Sequence, residues 1–147
     1  MASCRYGMWK VGPVLCVNHG MGQPSCSILV HEVSKLLGHA GLAPKEITII
    51  RVGTSGGLGL KAGTVVVSDQ VYNSLLEPTY NIAVCGKLEK RTTKLDDALA
   101  RELIATAPED VDVVQGHTMA ADTFYESQGR LDGAICEYTQ EIGRAHV

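Results

Sequence analysis

The sequence is most informative at Ile49-Ile50-Arg51-Val52-Gly53-Thr54-Ser55-Gly56-Gly57-Leu58-Gly59. Apolar and β-branched residues at its start predict a stiff, buried strand over residues 47–52. The glycines that follow permit backbone angles closed to other residues and allow amide groups to approach a ligand closely. We therefore expect a strand that runs into a loop whose N–H groups can bind an oxyanion.

Two polar side chains add to this hypothesis. Arg51, at the junction of strand and loop, carries a planar and permanent charge suited to bidentate phosphate contact, and Thr54 adds a hydroxyl donor. The spacing matches neither the GxGxxG dinucleotide pattern nor the Walker loop. Because a glycine-rich turn after a strand is often only a turn, the loop alone leaves phosphate binding and a plain turn as equal alternatives.

Composition narrows the classes of protein. With 147 residues, 45% of them hydrophobic and 20% charged, we expect one modest core and no second domain. A net charge of −3 and a pI near 5.9 argue against nucleic acid and anionic membrane as partners. Since no apolar run approaches the length of a membrane span and no basic-then-apolar leader opens the chain, we expect a cytoplasmic protein.

The five cysteines are scattered without CxxC pairs or metal-ligand spacing, which predicts reduced thiols and no metal site. Cys16 and Cys26 stand among apolar residues, and we expect both to be small core residues.

Helical spacing appears twice. After a candidate cap at Ser25 or Ser27, apolar residues recur at helical intervals and predict a helix that ends around Gly38 or Gly41. A second amphipathic helix is predicted over residues 95–106, opened by the acidic pair Asp96-Asp97 and with Leu99, Leu103 and Ile104 facing inward.

Strand patterns alternate with these helices and predict an α/β layer fold. The predicted strands are residues 9–17 with a Gly-Pro interruption, 64–68, 111–116 and 133–138, with a possible strand at 81–85 inside an otherwise irregular segment 71–94 and a loop at 128–133.

Three blocks of sequence carry a family resemblance that covers residues 5–140. They are residues 10–25, residues 49–69 and, most diagnostic, Phe124-Tyr125-Glu126-Ser127-Gln128-Gly129-Arg130-Leu131-Asp132-Gly133. The chain resembles the uridine phosphorylases of the nucleoside phosphorylase type I family. The resemblance implies a three-layer α/β/α sandwich around a mixed sheet, of which residues 1–140 form the central part of a single domain. Residues 141–147 match nothing in the family and are similar to a translated sequencing adapter, so we expect a non-native tail.

The implied reaction is reversible phosphorolysis of uridine to uracil and ribose 1-phosphate, in pyrimidine nucleoside salvage and catabolism. Inorganic phosphate is then a substrate, and no cofactor or metal is needed. The family forms shared sites between subunits, so the intact protein is expected to be a homodimer.

The resemblance also implies roles for individual residues. Those matching phosphate ligands are Arg51, Thr54 and Arg5, the last lent to the neighbouring subunit. Those matching the nucleoside pocket are Thr54, Ser55, Gly56, Phe124, Gln128 and Arg130. Phe124 would stack on the base, while Gln128 and Arg130 would hold the uracil edge. The implied catalytic set is Arg51, Gln128 and Arg130, with Arg130 stabilising charge on the departing uracil.

Plainer interpretations stand beside these roles. Arg130 and Asp132 together suit a surface salt bridge, Gln128 a loop residue and Phe124 a core residue. His19 and His117 suit structural roles more often than catalytic ones.

Some elements of the family have no match in this sequence. Among them are an upstream glycine-rich loop with a phosphate-binding arginine and a downstream Glu-Met-Glu segment that binds the ribose hydroxyls. Without them we expect exposed apolar surface. Three alternatives remain open: an incomplete copy of a uridine phosphorylase with impaired activity, a non-catalytic truncated subunit that pairs with full-length chains, and an enzyme that acts on purine nucleosides or uses water. Gln128 and Arg130 argue against purine nucleosides.

Overall fold

A computed structural model of the 147-residue chain describes residues 5–130, 132 and 133. The chain forms two compact units, Met1–Thr54 and Ser55–Val147. The strand predicted over residues 133–138 and the tail predicted over residues 141–147 lie outside the described residues, apart from Gly133, which lies in a bend.

The first unit opens with an antiparallel hairpin. Strand β1 (Met8–Val11) pairs with strand β2 (Val14–Val17), with Met8 opposite Val17 and Val11 opposite Val14. The turn between them contains Gly12 at φ 55, a left-handed conformation that glycine adopts without a steric cost. The prediction of a strand over residues 9–17 with a Gly-Pro interruption is partly right, since strand residues lie on both sides of the pair, but the Gly-Pro pair reverses the chain and makes two antiparallel strands.

Helix α1 (Gln23–His39) follows the hairpin and covers the segment predicted to be helical. The predicted serine cap is wrong: Gly22 is the N-cap residue and makes no side-chain cap. Pro24 stands in the first turn, where its missing N–H has no helical partner to lose. The Ser25 hydroxyl instead donates to the carbonyl of His19 at 2.5 Å, which fastens the preceding loop to the helix.

The apolar run at residues 47–52 does not form the predicted strand. It follows a short 3₁₀ turn at Pro44–Glu46 and has no regular structure, and Ile49, Ile50 and Val52 are 63%, 52% and 87% exposed. A strand exists only where its N–H and C=O groups pair with a neighbour, and among the described residues no strand pairs with this run. Residue type alone therefore gave the wrong prediction.

The second unit is built on a parallel pair. Strand β3 (Val65–Tyr72) pairs with strand β6 (Val113–Met119), from Val65 opposite Val113 to Tyr72 opposite Met119. Helix α2 (Asp97–Ala105) packs against both strands and buries Ala100, which is 4% exposed. The predicted strands at 64–68 and 111–116 and the predicted helix at 95–106 are confirmed, with shifted ends. Leu99, Leu103 and Ile104 are half-buried on α2, as predicted.

A second hairpin lies between β3 and α2. Strand β4 (Thr79–Val84) pairs antiparallel with strand β5 (Lys87–Thr92), from Thr79 opposite Thr92 to Val84 opposite Lys87. The turn residues Cys85 and Gly86 have φ values of 49 and 81, the positive angles of a tight two-residue turn. The prediction of an irregular segment with one possible strand is thus only partly right.

Little of the described chain is fully buried. Tyr6 and Ala100 form the buried apolar set among the described residues, and large apolar side chains such as Trp9 and Leu75 are 65% and 73% exposed. The expectation of exposed apolar surface is confirmed. Cys16 is exposed and Cys26 half-buried, so the prediction of a core position is wrong for Cys16. None of the helices in the described part of the chain has the length and apolar character needed to cross a membrane.

Candidate functional site

The segment from Thr123 to Arg130 is held in shape by its own backbone and hydroxyl groups. The Thr123 hydroxyl accepts from the Ser127 N–H at 3.0 Å, and the Ser127 hydroxyl accepts from the Thr123 N–H at 3.2 Å. A 3₁₀ turn at Glu126–Gln128 then ends at Gly129, which is buried and has φ 62. This left-handed residue reverses the chain, and the Arg130 N–H donates back to the Tyr125 carbonyl at 3.0 Å.

The reversal places the Arg130 guanidinium over the ring of Phe124. Its central carbon lies 4.4 Å from the ring centroid, within cation–π range. The same guanidinium donates through Nε and Nη2 to the two carboxylate oxygens of Asp132, at 3.1 and 3.0 Å. These hydrogen bonds from Arg130 lower the pKa of the Asp132 carboxyl. The salt bridge considered from sequence is therefore present, and it holds an arginine that also contacts an aromatic ring.

Phe124 is not a core residue, because 59% of its surface is exposed. The ring of Tyr125 meets it edge-on, with centroids 5.2 Å apart and an interplanar angle of 81°. Gln128 is half-buried, and its Nε2 lies 3.5 Å from the Thr123 carbonyl, at the long limit of a hydrogen bond. The segment thus brings an exposed ring, an amide and a guanidinium together. Such a set suits a planar ligand with polar edges.

Arg51 folds back over the glycine loop in the first unit. A Cβ at Gly53 would lie 3.0 Å from the Arg51 Nη1 and 3.2 Å from Nη2, so a side chain there would require the guanidinium to shift by a few tenths of an ångström. Arg51 and Thr54 are both exposed at the end of this unit, while Ser55 and Gly56 are exposed at the start of the next. The loop that follows has no helix or strand.

Arg5 lines a hollow of about 230 Å³ in the first unit. Its guanidinium carbon lies 5.5 Å from the ring centroid of Tyr6, a buried residue whose hydroxyl donates to the Ser25 carbonyl at 3.4 Å. His19 also lines this hollow, and its Nδ1 is buried without a hydrogen-bond partner among the described residues. A guanidinium and an imidazole on one hollow suit an anion. Arg5 was predicted from the sequence as a phosphate ligand, but no sequence signal placed His19 on the same hollow.

A further polar cluster, formed by Asp69, Gln115 and His117, was not predicted from the sequence. His117 on β6 lies with Nδ1 2.7 Å from Asp69 Oδ1 on β3, and Gln115 donates to Asp69 Oδ2 at 2.9 Å. The pKa of Asp69 is lowered, first by the hydrogen bond from Gln115 and then by that from His117. The pairing of β3 with β6 shifts register between Ser68 and Gln70, which sets Asp69 beside these side chains. Only the parallel register, not the local sequence, could have shown this.

The comparisons with known proteins decide the family. The model of the phosphorylase superfamily matches residues 3–144, nearly the whole chain. The chain belongs to the phosphorylase superfamily. Within it, the chain is 48% identical over 145 residues to uridine phosphorylase 1 of Mus musculus, covering 97% of this chain and 46% of that protein. It is 49% identical over 140 residues to the uridine and thymidine phosphorylase of Caenorhabditis elegans, covering 95% and 47%.

A solved phosphorylase gives the matching fold. The crystal structure of uridine phosphorylase from Schistosoma mansoni in complex with uracil superposes with a TM-score of 0.91 at 44% identity, covering 99% of this chain and 51% of that one. The predicted α/β class, the nucleoside phosphorylase type I fold and the resemblance to uridine phosphorylases are thereby confirmed. The chain spans about half the length of the curated phosphorylases it matches.

Proposed function

We propose that this chain is part of a uridine phosphorylase that catalyses reversible phosphorolysis of uridine to uracil and ribose 1-phosphate. The observation that carries the proposal is the Arg130 guanidinium, whose central carbon lies 4.4 Å from the centroid of the exposed Phe124 ring and which stands two residues after Gln128. Relatives named uridine phosphorylase, at 48% identity for the Mus musculus protein, support it.

The base would bind at the segment Phe124 to Arg130. Phe124 offers an exposed aromatic face, and Gln128 offers both a donor and an acceptor to match the polar edge of uracil. Arg130 would stabilise the negative charge that builds on uracil as the glycosidic bond breaks, which is electrostatic catalysis and requires no proton transfer. Because a mismatched base would leave the amide unpaired, this site would discriminate strongly between nucleosides.

Phosphate would bind through arginines. Arg51 and Thr54 would hold the dianion near the ribose, with Ser55 and Gly56 lining the nucleoside pocket. Arg5 would serve the phosphate site of the neighbouring subunit in a homodimer. The support for Arg5 is its place on the hollow shared with His19. Positioning phosphate against the anomeric carbon would supply a large share of the rate.

The remaining features of the proposal follow from the family. Residues 1–140 would be the central part of one domain, working in the cytoplasm on uridine and phosphate without a cofactor. Nucleic acid and membranes would not be partners, since the chain carries a net charge of −3.

A substrate panel tests this function. The full-length protein that contains this chain is purified and assayed for release of free base from uridine and inosine, with phosphate present and absent, by the change in ultraviolet absorbance. We expect phosphate-dependent turnover and a kcat/KM for uridine at least about a hundredfold above that for inosine. Preference for inosine would assign the protein to purine nucleosides, turnover without phosphate would make it a hydrolase, and absence of turnover would refute the proposal.

The alternative is a non-catalytic subunit that pairs with full-length chains. The observation that favours it is the exposed apolar hairpin beside Arg5, where Trp9 and Val11 are 65% and 74% exposed. Such side chains suit burial against another subunit. Co-expression with a tagged full-length phosphorylase tests this alternative, which predicts mixed assemblies on size exclusion. A co-purification profile unchanged by the shorter chain would refute it.

A further inference from the structure

From the geometry around Arg130 we infer that Asp132 is a positioning residue, which sets the plane of the Arg130 guanidinium over Phe124 for contact with the base. The inference deepens the proposed function and rests on it. Asp132 itself would not touch the substrate, so its effect would pass through Arg130 alone.

The contact between the two side chains is directional. Nε and Nη2 of Arg130 donate to separate oxygens of Asp132 at 3.1 and 3.0 Å, a parallel two-bond arrangement. Two parallel bonds fix the orientation of a guanidinium plane, whereas a single bond leaves it free to rotate. The central carbon of the same guanidinium lies 4.4 Å from the centroid of Phe124. Asp132 and the Phe124 ring therefore both restrain the same group.

The local backbone sets the starting point of this arrangement. Gly129 is buried in the left-handed conformation, and the Arg130 N–H is bound to the Tyr125 carbonyl at 3.0 Å. The backbone of Arg130 is thereby fixed, but its long side chain still has several rotatable bonds. Asp132, two residues further along, supplies the restraint at the far end of that side chain.

Asp132 has two opposing effects on the proposed reaction. Its negative charge weakens the field that Arg130 offers to a developing uracil anion, while its two bonds hold Arg130 in place. If the charge effect were the larger, removing the charge would raise the rate. Positioning predicts the opposite, because a small misplacement of a catalytic group lowers the rate substantially. The sign of the effect thus separates the two.

The test compares Asp132→Asn, Asp132→Ala and Asp132→Glu in the purified full-length protein that contains this chain. Asparagine keeps the shape and one acceptor oxygen but loses the second, so we expect kcat for uridine to fall about threefold to tenfold, with the KM for phosphate unchanged. Alanine should lower kcat further, and glutamate should restore part of it. The matched control is Glu89→Gln, because Glu89 also pairs with an arginine two residues away, Arg91, at 3.5 Å. It should leave kcat unchanged.

A double variant separates positioning from a merely structural role. In the Arg130→Ala background, Asp132→Asn should produce no further loss of kcat, because the group it positions is gone. A structural role would lower activity equally in both backgrounds. Equal losses in both backgrounds, or an unchanged or raised kcat in Asp132→Asn alone, would overturn the inference.

The failure of this inference is distinct from failure of the proposed function. If the wild-type protein turns over uridine and the Asp132 variants have the same kcat, only the positioning role is refuted. If the wild-type protein does not turn over uridine, the proposed function is refuted, and so is the role of Asp132 in that reaction.

Discussion

Replacing Arg130 with alanine removes the group on which the proposed chemistry depends most. The substitution deletes the guanidinium that lies 4.4 Å from the Phe124 centroid and both hydrogen bonds to Asp132. The folded protein should lose little stability, because the arginine and aspartate side chains are 38% and 64% exposed and such pairs are screened by solvent. The loss should appear in the transition state instead.

The size of that loss follows from electrostatic catalysis. Removing one donor that stabilises developing charge costs about 2 to 4 kcal/mol of transition-state binding. Since each 1.36 kcal/mol is a factor of ten in rate, kcat/KM for uridine should fall about 30-fold to 900-fold. Gln128→Ala should cost a similar amount, because the amide that recognises the base edge is lost.

The assay is initial-rate phosphorolysis of uridine with saturating phosphate, together with a thermal melt of each variant. Arg91→Ala is the matched control, since Arg91 also pairs with a carboxylate two residues away, on exposed strand β5. It should match the wild type in rate. A kcat/KM for Arg130→Ala within about threefold of the wild type would refute the assignment. So would an equal loss in Arg91→Ala.

Three further predictions concern other parts of the chain. Arg51→Ala should raise the KM for phosphate far more than the KM for uridine, since it removes the guanidinium proposed to bind phosphate. Equal changes in the two KM values would contradict the assignment. Asp96→Ala should destabilise the protein by about 1 kcal/mol in denaturant melts, because the Asp96 carboxylate accepts from the N–H groups of Ala98 and Leu99 at 2.9 and 3.0 Å. An unchanged midpoint would show that the cap contributes nothing. The pKa of Glu77 is lowered below its ordinary value of 4.5, first by the hydrogen bond from Lys90. The ionised Glu77 carboxylate therefore stabilises the folded protein above pH 4.5, and this contribution is lost as pH falls through the lowered pKa. Glu77→Gln should therefore flatten the acid limb of stability, and an acid limb as steep as that of the wild type would count against it.

Local signals predicted the elements that depend on local chemistry. Helix α2 begins at its Asp96 cap, and the valine run at the start of β3 forms a strand because α2 and β6 cover it. Residues 47–52 look equally strand-like in sequence but have no partner strand among the described residues. Pairing is non-local, so composition could not decide between the two cases.

In the candidate site, too, some contacts depend on local sequence and others on strand pairing. Phe124, Gln128 and Arg130 meet because Gly129 reverses the chain within a few residues, so a local motif was enough to bring them together. Asp69 and His117 are separated by 48 residues and meet only through the register of β3 and β6. No sequence pattern carries that information.

The phosphorolysis reaction is tested by following the fate of phosphate. The purified full-length protein that contains this chain is incubated with uridine and inorganic phosphate, and the products are recorded by ³¹P NMR alongside the release of uracil. Phosphorolysis predicts a sugar 1-phosphate signal that grows in step with uracil while inorganic phosphate is consumed in equal amount. Uracil release with no loss of inorganic phosphate, or no reaction at all, would contradict it.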